Sequence, residues 1–153
     1  MCIVKVVNDP FTNYECIFRL TNYALIGKPG KRIRYYGGYN VVLSRADEEI
    51  ILVKQYFQKT DKRLMRHFTV SFNDEISAYD AWILGWRIAA YYADRFQIVF
   101  GVHEDTDNIH IHFVMNTVSF VDGLKYSGGY GDLYKFTSYV NRIHKEYLSE
   151  YER

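Results

Sequence analysis

QIVFGVHEDTDNIHIHFVMN, residues 97–116, is the stretch whose reading decides the fold. Both of its arms alternate. In the first arm Gln97, Val99, Gly101 and His103 share a side opposite Ile98, Phe100 and Val102. In the second, His110, His112, Val114 and Asn116 oppose Ile111, Phe113 and Met115. Asp105, Thr106, Asp107 and Asn108 between them favour a turn. A four-residue loop at 105–108 pairs Glu104 with Ile109, His103 with His110 and Gly101 with His112. The pattern predicts two antiparallel strands, 96–103 and 109–120, each with an apolar side and a more polar side. All strand histidines fall on the polar side.

Working outward, residues 64–72 (LMRHFTVSF) alternate as another strand, with His67, Thr69 and Ser71 opposite Phe68, Val70 and Phe72. Residues 2–8 alternate weakly and predict a first strand. Asp9-Pro10 reads as N-cap and first position of a helix running to about 23–25, and Lys28-Pro29-Gly30-Lys31 breaks it. Residues 31–43, with Gly37-Gly38, carry no clear period and are bracketed as a strand. Two capping boxes, Ser44 to Asp47 and Ser77 to Asp80, predict helices to about 59 and 94, and 132–151 predicts a closing helix. The order β-α-(β)-α-β-α-β-β-α implies one α+β domain over 1–153. Its antiparallel sheet carries helices on one face and the histidines on the other.

A chain of 153 residues, 48% hydrophobic and 24% charged, is long enough to bury a core without disulfides or a structural metal. Ten glycines and two prolines exclude a collagen-like or low-complexity chain. No apolar run is long enough to span a bilayer, and residues 1–8 lack the features of a secretory signal. Cys2 and Cys16 stand in no metal spacing, which favours a reducing cytoplasm. Charge is uneven: residues 28–66 hold ten Lys/Arg against four acids, while the whole chain carries only +1. Such a basic tract, interleaved with Tyr35, Tyr36, Tyr39 and Tyr56, suits phosphates gripped by cations and bases stacked on rings. A solvated surface with core tyrosines is the competing reading.

The predicted hairpin gives the sharper signal. Cross-strand partners share a face at about 5 Å between Cβ atoms, so His103, His110 and His112 converge on one point. Gly101, opposite His112, is expected to leave space there for a metal or phosphate. Three neutral imidazoles with open coordination positions make a catalytic rather than a closed structural site. An ordinary hydrogen-bonded network of polar-face histidines is the alternative, and convergence by independent alternation disfavours it. A zinc hydrolase would commonly add a Cys or acidic ligand, and none is evident. Asp105 and Asp107 read as turn formers or as partners for imidazole N–H groups.

HEDTDNIHIHFVMNTVSF (103–120) resembles the metal-binding motif of conjugative relaxases, the HUH endonucleases that mobilise plasmids and integrative elements. RLTNYALI (19–26) is similar to their N-terminal nucleophile motif and YGGYNVV (36–42) to the turn after it. RHFTVSF (66–72) is similar to the strand before the second helix, and VDGLKY (121–126) also matches. The likeness spans about 3–145 and looks closest to relaxases of Gram-positive mobile elements.

The resemblance implies an HUH-type fold with a ferredoxin-like palm. It implies nicking and rejoining of single-stranded DNA at an origin of transfer, through a 5′-phosphotyrosine and a free 3′-OH. Tyrosine suits this because its ester preserves the phosphodiester energy for resealing. It also implies one divalent ion, Mn²⁺ or Mg²⁺ with Zn²⁺, Ni²⁺ or Co²⁺ as alternatives, held by His103, His110 and His112. Tyr23 is then the nucleophile, with Tyr14, Tyr35 and Tyr36 as substitutes. Asp105, Glu104 and His67 are candidates for supporting the ligands or moving protons, and Lys28, Lys31, Arg32, Arg34, Lys62 and Arg63 for contacting DNA. Relaxosome accessory proteins are expected partners, in a bacterial cytoplasm with no membrane segment. Full relaxases usually continue into a second domain, so the chain is expected to be either an N-terminal nuclease domain or an unusually small relaxase. Two other functions compete. A single-tyrosine HUH transposase would carry its tyrosine on the last helix, at Tyr134, Tyr139 or Tyr147. A catalytically silent single-strand-binding module would have lost a ligand.

Overall fold

The computed structural model of the chain describes residues 2–8 and 10–151. Its larger sheet has five strands in the order β1-β5-β7-β6-β4, every neighbouring pair antiparallel: β1 (Cys2–Val6), β4 (Tyr36–Tyr39), β5 (Met65–Phe72), β6 (Ile98–His103) and β7 (His110–Asn116). β6 and β7 pair with His103 opposite His110 and Gly101 opposite His112, the register the alternation predicts. Four helices complete the domain: α1 (Glu15–Leu25), α2 (Ala46–Tyr56), α3 (Ala78–Ala89) and α4 (Tyr130–Tyr151). The α+β class and the antiparallel sheet agree with the sequence.

The helices do not all lie on one face. Phe68, Phe100, Phe113, Ile111 and Met115 project from one side of the sheet and form a core with α3 and α4. On the histidine side Met65, Val99 and Val114 are also apolar, and α1 and α2 cover them with Ile17, Leu20, Ala24 and Ile50. The expectation of helices on one face is therefore corrected. Half of the polar face is apolar, and burying it needs a second pair of helices.

Other differences have local causes. The expected cap Asp9 lies outside the described residues, and α1 begins at Glu15 rather than Pro10. Before it, Phe11 takes a left-handed backbone (φ +46°) and buries its ring, while its carbonyl accepts from the Leu64 N–H at 2.9 Å. The Lys28–Lys31 break is a small hairpin, β2 (Gly27–Lys28) paired with β3 (Lys31–Arg32). The Ser77 box forms, its hydroxyl accepting from the Asp80 N–H at 3.0 Å. The Ser44 box does not, because a 3-10 turn at Leu43–Arg45 puts Arg45 at the cap position of α2. The two helices end at Tyr56 and Ala89, earlier than predicted. Among the described residues no helix is long and apolar enough to cross a membrane.

Candidate metal centre

The register of β6 and β7 brings three imidazoles to one place. His103, His110 and His112 each offer a ring nitrogen, and these atoms lie within 4.8 Å of one another. Ring centroids are 4.1 Å apart for His103–His112, 4.9 Å for His110–His112 and 5.6 Å for His103–His110. His110 Nδ1 donates to the Asn108 carbonyl at 3.1 Å, which leaves Nε2 as its free lone pair. His112 Nδ1 lies 2.8 Å from His67 Nε2. His103 Nε2 is buried with no hydrogen-bond partner among the described residues. A buried polar atom without a partner is costly, and three imidazoles gathered at this nitrogen fit a divalent ion as a common partner.

Burial keeps the His103, His112 and His67 rings neutral. It pushes His103 down to about 4, helped by neighbouring His110 and opposed by Asp105. His112 falls to about 2 through burial and then the charges of His103 and His67. Burial alone takes His67 to about 4. Neutral imidazole is the form that binds metal.

Tyr23 joins the cluster from the last turn of α1. Its ring centroid is 4.8 Å from that of His103, 4.9 Å from His112 and 6.4 Å from His67. The helix stops there because Ile26 is followed by Gly27 at φ +87°, a conformation favouring glycine. Gly101 seats that helix end. A Cβ at 101 would stand 1.7 Å from the Ala24 carbonyl oxygen, so the missing side chain admits α1. The expectation that Gly101 clears space for metal or phosphate is thus overturned: the helix backbone fills it. Burial and then the Asp105 charge raise the Tyr23 hydroxyl pKa above its ordinary value.

The relaxase family described as MobA/VirD2-like, nuclease domain, matches residues 23–148, most of the chain. The chain belongs to this family. Compared with curated proteins, it has no match. Membership in the relaxase nucleases brings DNA nicking in conjugative mobilisation and the binding of single-stranded DNA. The histidine triad supplies a donor set for a metal ion.

The remaining candidates of this relaxase domain divide clearly. Asp105 stands beside the site, with Oδ1 buried and without a hydrogen-bond partner among the described residues and Oδ2 4.0 Å from Lys28 Nζ. Glu104 instead makes a two-pronged pair with Arg34, at 3.0 and 2.5 Å, and has no hydrogen bond to an imidazole among the described residues. Lys28, Lys31 and Arg32 line a cavity of about 270 Å³ with His103, Glu104 and Asp105. Lys62 and Arg63 precede Met65, which pairs with Asn116 at the far end of β7, so the fold does not bring them to the histidines. Tyr14 and Tyr35 have no ring contact with the triad among the described residues; Tyr35 packs instead on Tyr79 and Trp82. Two tyrosines of α4 belong to the opposite side, and Tyr134 is exposed. Tyr147 is in the α3–α4 core, and the Tyr139 hydroxyl donates to the Arg87 carbonyl at 2.7 Å. Sequence reasoning missed Asn108 as the group that orients His110, although it had marked that residue as a turn former.

Proposed function

We propose that the chain nicks and rejoins single-stranded DNA at an origin of transfer through a covalent 5′-phosphotyrosine on Tyr23. His103, His110 and His112 would hold one divalent ion, Mn²⁺ or Mg²⁺ first among the choices. The observation that carries this reading is the Tyr23 ring, under 5 Å from two of the three imidazoles by centroid. Bound there, a divalent cation supplies positive charge that offsets the scissile phosphate and the crowded transition state.

The chain's own residues account for the rest. Tyr23 Oη forms a bond to phosphorus as the bond from phosphorus to the 3′ oxygen breaks, and the new 5′-phosphate end of the downstream segment stays on the enzyme. The hydroxyl proton is held tightly, so it must leave as the new bond forms. Asp105, with Oδ1 lacking a partner, is the acceptor, and the proton ends on the departing 3′ oxygen. Resealing runs the same transfers backwards. His67 holds the His112 ring through the 2.8 Å contact and thereby fixes which nitrogen faces the metal. Lys28, Lys31 and Arg32 attract the backbone beside the site, and Arg34 steadies the rim through Glu104.

A transposase reading is disfavoured because Tyr139 and Tyr147 of α4 pack in the core on the other face of the sheet, and Tyr134 has no ring contact with the triad among the described residues. A silent binding module is disfavoured because all three imidazoles and a tyrosine ring meet at one site. The setting proposed is the cytoplasm of a Gram-positive bacterium, with relaxosome accessory proteins as partners. Incubation with single-stranded fragments of the element encoding the chain, with and without Mn²⁺, should give a metal-dependent covalent protein–DNA adduct. Cleavage that leaves no adduct would contradict the tyrosine mechanism.

A further inference from the structure

We infer that the cleft beside Tyr36 is a binding subsite for one nucleobase of the single strand, separate from the reacting centre. This inference rests on the reading of the chain as a single-strand nuclease. Four tyrosines interleave the basic tract, and the fold packs two of them. Tyr35 is packed between Tyr79 and Trp82, with ring centroids at 6.2 and 5.8 Å. The Tyr39 hydroxyl donates to the Trp86 carbonyl at 3.1 Å. Tyr56 ends α2 and is 81% exposed, but the apolar hollow it lines with Leu52, Phe57 and Phe120 has no Lys or Arg in its wall. Tyr36 differs: it pairs with Gly101 on the edge strand β4, and cross-strand partners share a face, so its ring stands on the histidine side. The residue is 45% exposed.

Tyr36 forms one wall of a cleft of about 560 Å³ between the end of α1, the small hairpin and the start of α2. Arg32 and Ile33 line both this cleft and the smaller cavity that holds His103 and Lys28, so the two join along the hairpin. A strand with one phosphate at the histidines can therefore pass Lys28, Lys31 and Arg32 and reach Tyr36. The lining selects the part of a nucleotide that enters. Tyr36, Ile26 and Ile33 offer a ring and flat apolar walls, whereas Asn22, Ser44 and Asp47 offer hydrogen-bonding groups. The Asp47 carboxylate repels a phosphate but accepts from an exocyclic amino group. The base belongs inside and its phosphate at the rim on Arg32. Stacking on an exposed ring beside a cationic track is the common solution for single strands.

The test measures binding by fluorescence anisotropy at fixed salt, with oligothymidylate, oligodeoxycytidylate and an abasic strand of equal length as probes. Tyr36→Ala should weaken binding of the base-bearing strands by about tenfold. It should leave the abasic strand and the salt slope unchanged, and Tyr36→Phe should retain the wild-type affinity. Asp47→Asn should alter the ratio between the cytidylate and thymidylate strands. Metal binding by Tyr36→Ala, measured alongside, reports that the variant is folded. An equal loss on base-bearing and abasic strands, or no loss on either, overturns the subsite. If that happens while wild-type protein still forms the Tyr23 adduct, the subsite alone fails. If wild-type protein binds no single strand, both readings fail.

Discussion

The two ends of the β6–β7 pair treat buried polar groups in opposite ways, although both lie on the same sheet face. At one end, Lys54 Nζ donates to the Leu64 carbonyl and to Asn116 Oδ1 at 2.5 and 2.6 Å. Asn116 Nδ2 in turn donates to Gln97 Oε1 at 2.9 Å. Each group there has a partner within the chain. At the other end His103 Nε2 has none, and three imidazoles face a common point. A closed polar network fixes structure, and an open one awaits a ligand. The difference makes the histidine end, and not the Lys54 end, the candidate for holding a ligand.

That contrast is open to direct attack. His110→Ala removes a half-buried ligand from the open end. It should weaken divalent-ion binding by more than roughly a hundredfold, beyond the loss typical of an outer partner, while the metal-free melting temperature barely moves. Calorimetry with Mn²⁺ and a thermal melt check both halves. Asn116→Ala should do the reverse. It leaves the Lys54 ammonium and Gln97 short of partners, so it should cost about 3 kcal/mol, with the ion still bound by the folded fraction; denaturant titration reads this. Gly101→Ala sits between the ends. Its Cβ would collide with the Ala24 carbonyl, so it should cost roughly 1–3 kcal/mol and shift Tyr23. Adduct formation should fall further than metal binding.

The smallest effect is on pH dependence, where the ends occupy different windows. His67, His103 and His112 are all pushed below their ordinary 6.5 by burial. The unfolded chain therefore takes up more protons, and the metal-free domain loses stability as pH falls from about 6.5 toward about 4. Bound metal should raise stability above this range but steepen the loss, because ligating imidazoles take up no protons until the ion leaves. Lys54 is pushed down from 10.5 to about 7, chiefly by burial and then by the Lys125 charge. By the same sign, stability rises with pH between about 7 and 10.5, and Lys54→Met should remove that rise while leaving the acid limb. Melting temperatures across pH, with and without Mn²⁺, separate the two limbs.

Much of the open end was legible because its signal is local. Alternation around a DTDN turn sets the pairing of His103 with His110, and strand period alone puts both on one side. The closed end was not legible, since Lys54 read as part of a basic surface and only packing shows it buried. Strands of two and four residues, such as Gly27–Lys28 and Tyr36–Tyr39, are too short to carry a period. The start of α1 was misplaced because a buried Phe11 overrides the helix preference of Pro10. Gly101 was read for the ligand it would admit, and it proved to admit a helix. The meeting of His67 with His112 depends on the pairing of β5 with β7, which no local pattern reveals.

The central claim is that Tyr23, beside the three imidazoles, carries the covalent bond to DNA. Mass spectrometry of the adduct, trapped with single-stranded DNA and Mn²⁺ and then digested, tests it most directly. A nucleotide on the Tyr23 peptide is the expected result. Tyr23→Phe, which deletes only the hydroxyl, should abolish the adduct while leaving folding and metal binding intact; Tyr14→Phe and Tyr35→Phe should leave the adduct in place. A nucleotide on any other tyrosine, or an adduct that survives Tyr23→Phe, would contradict the account.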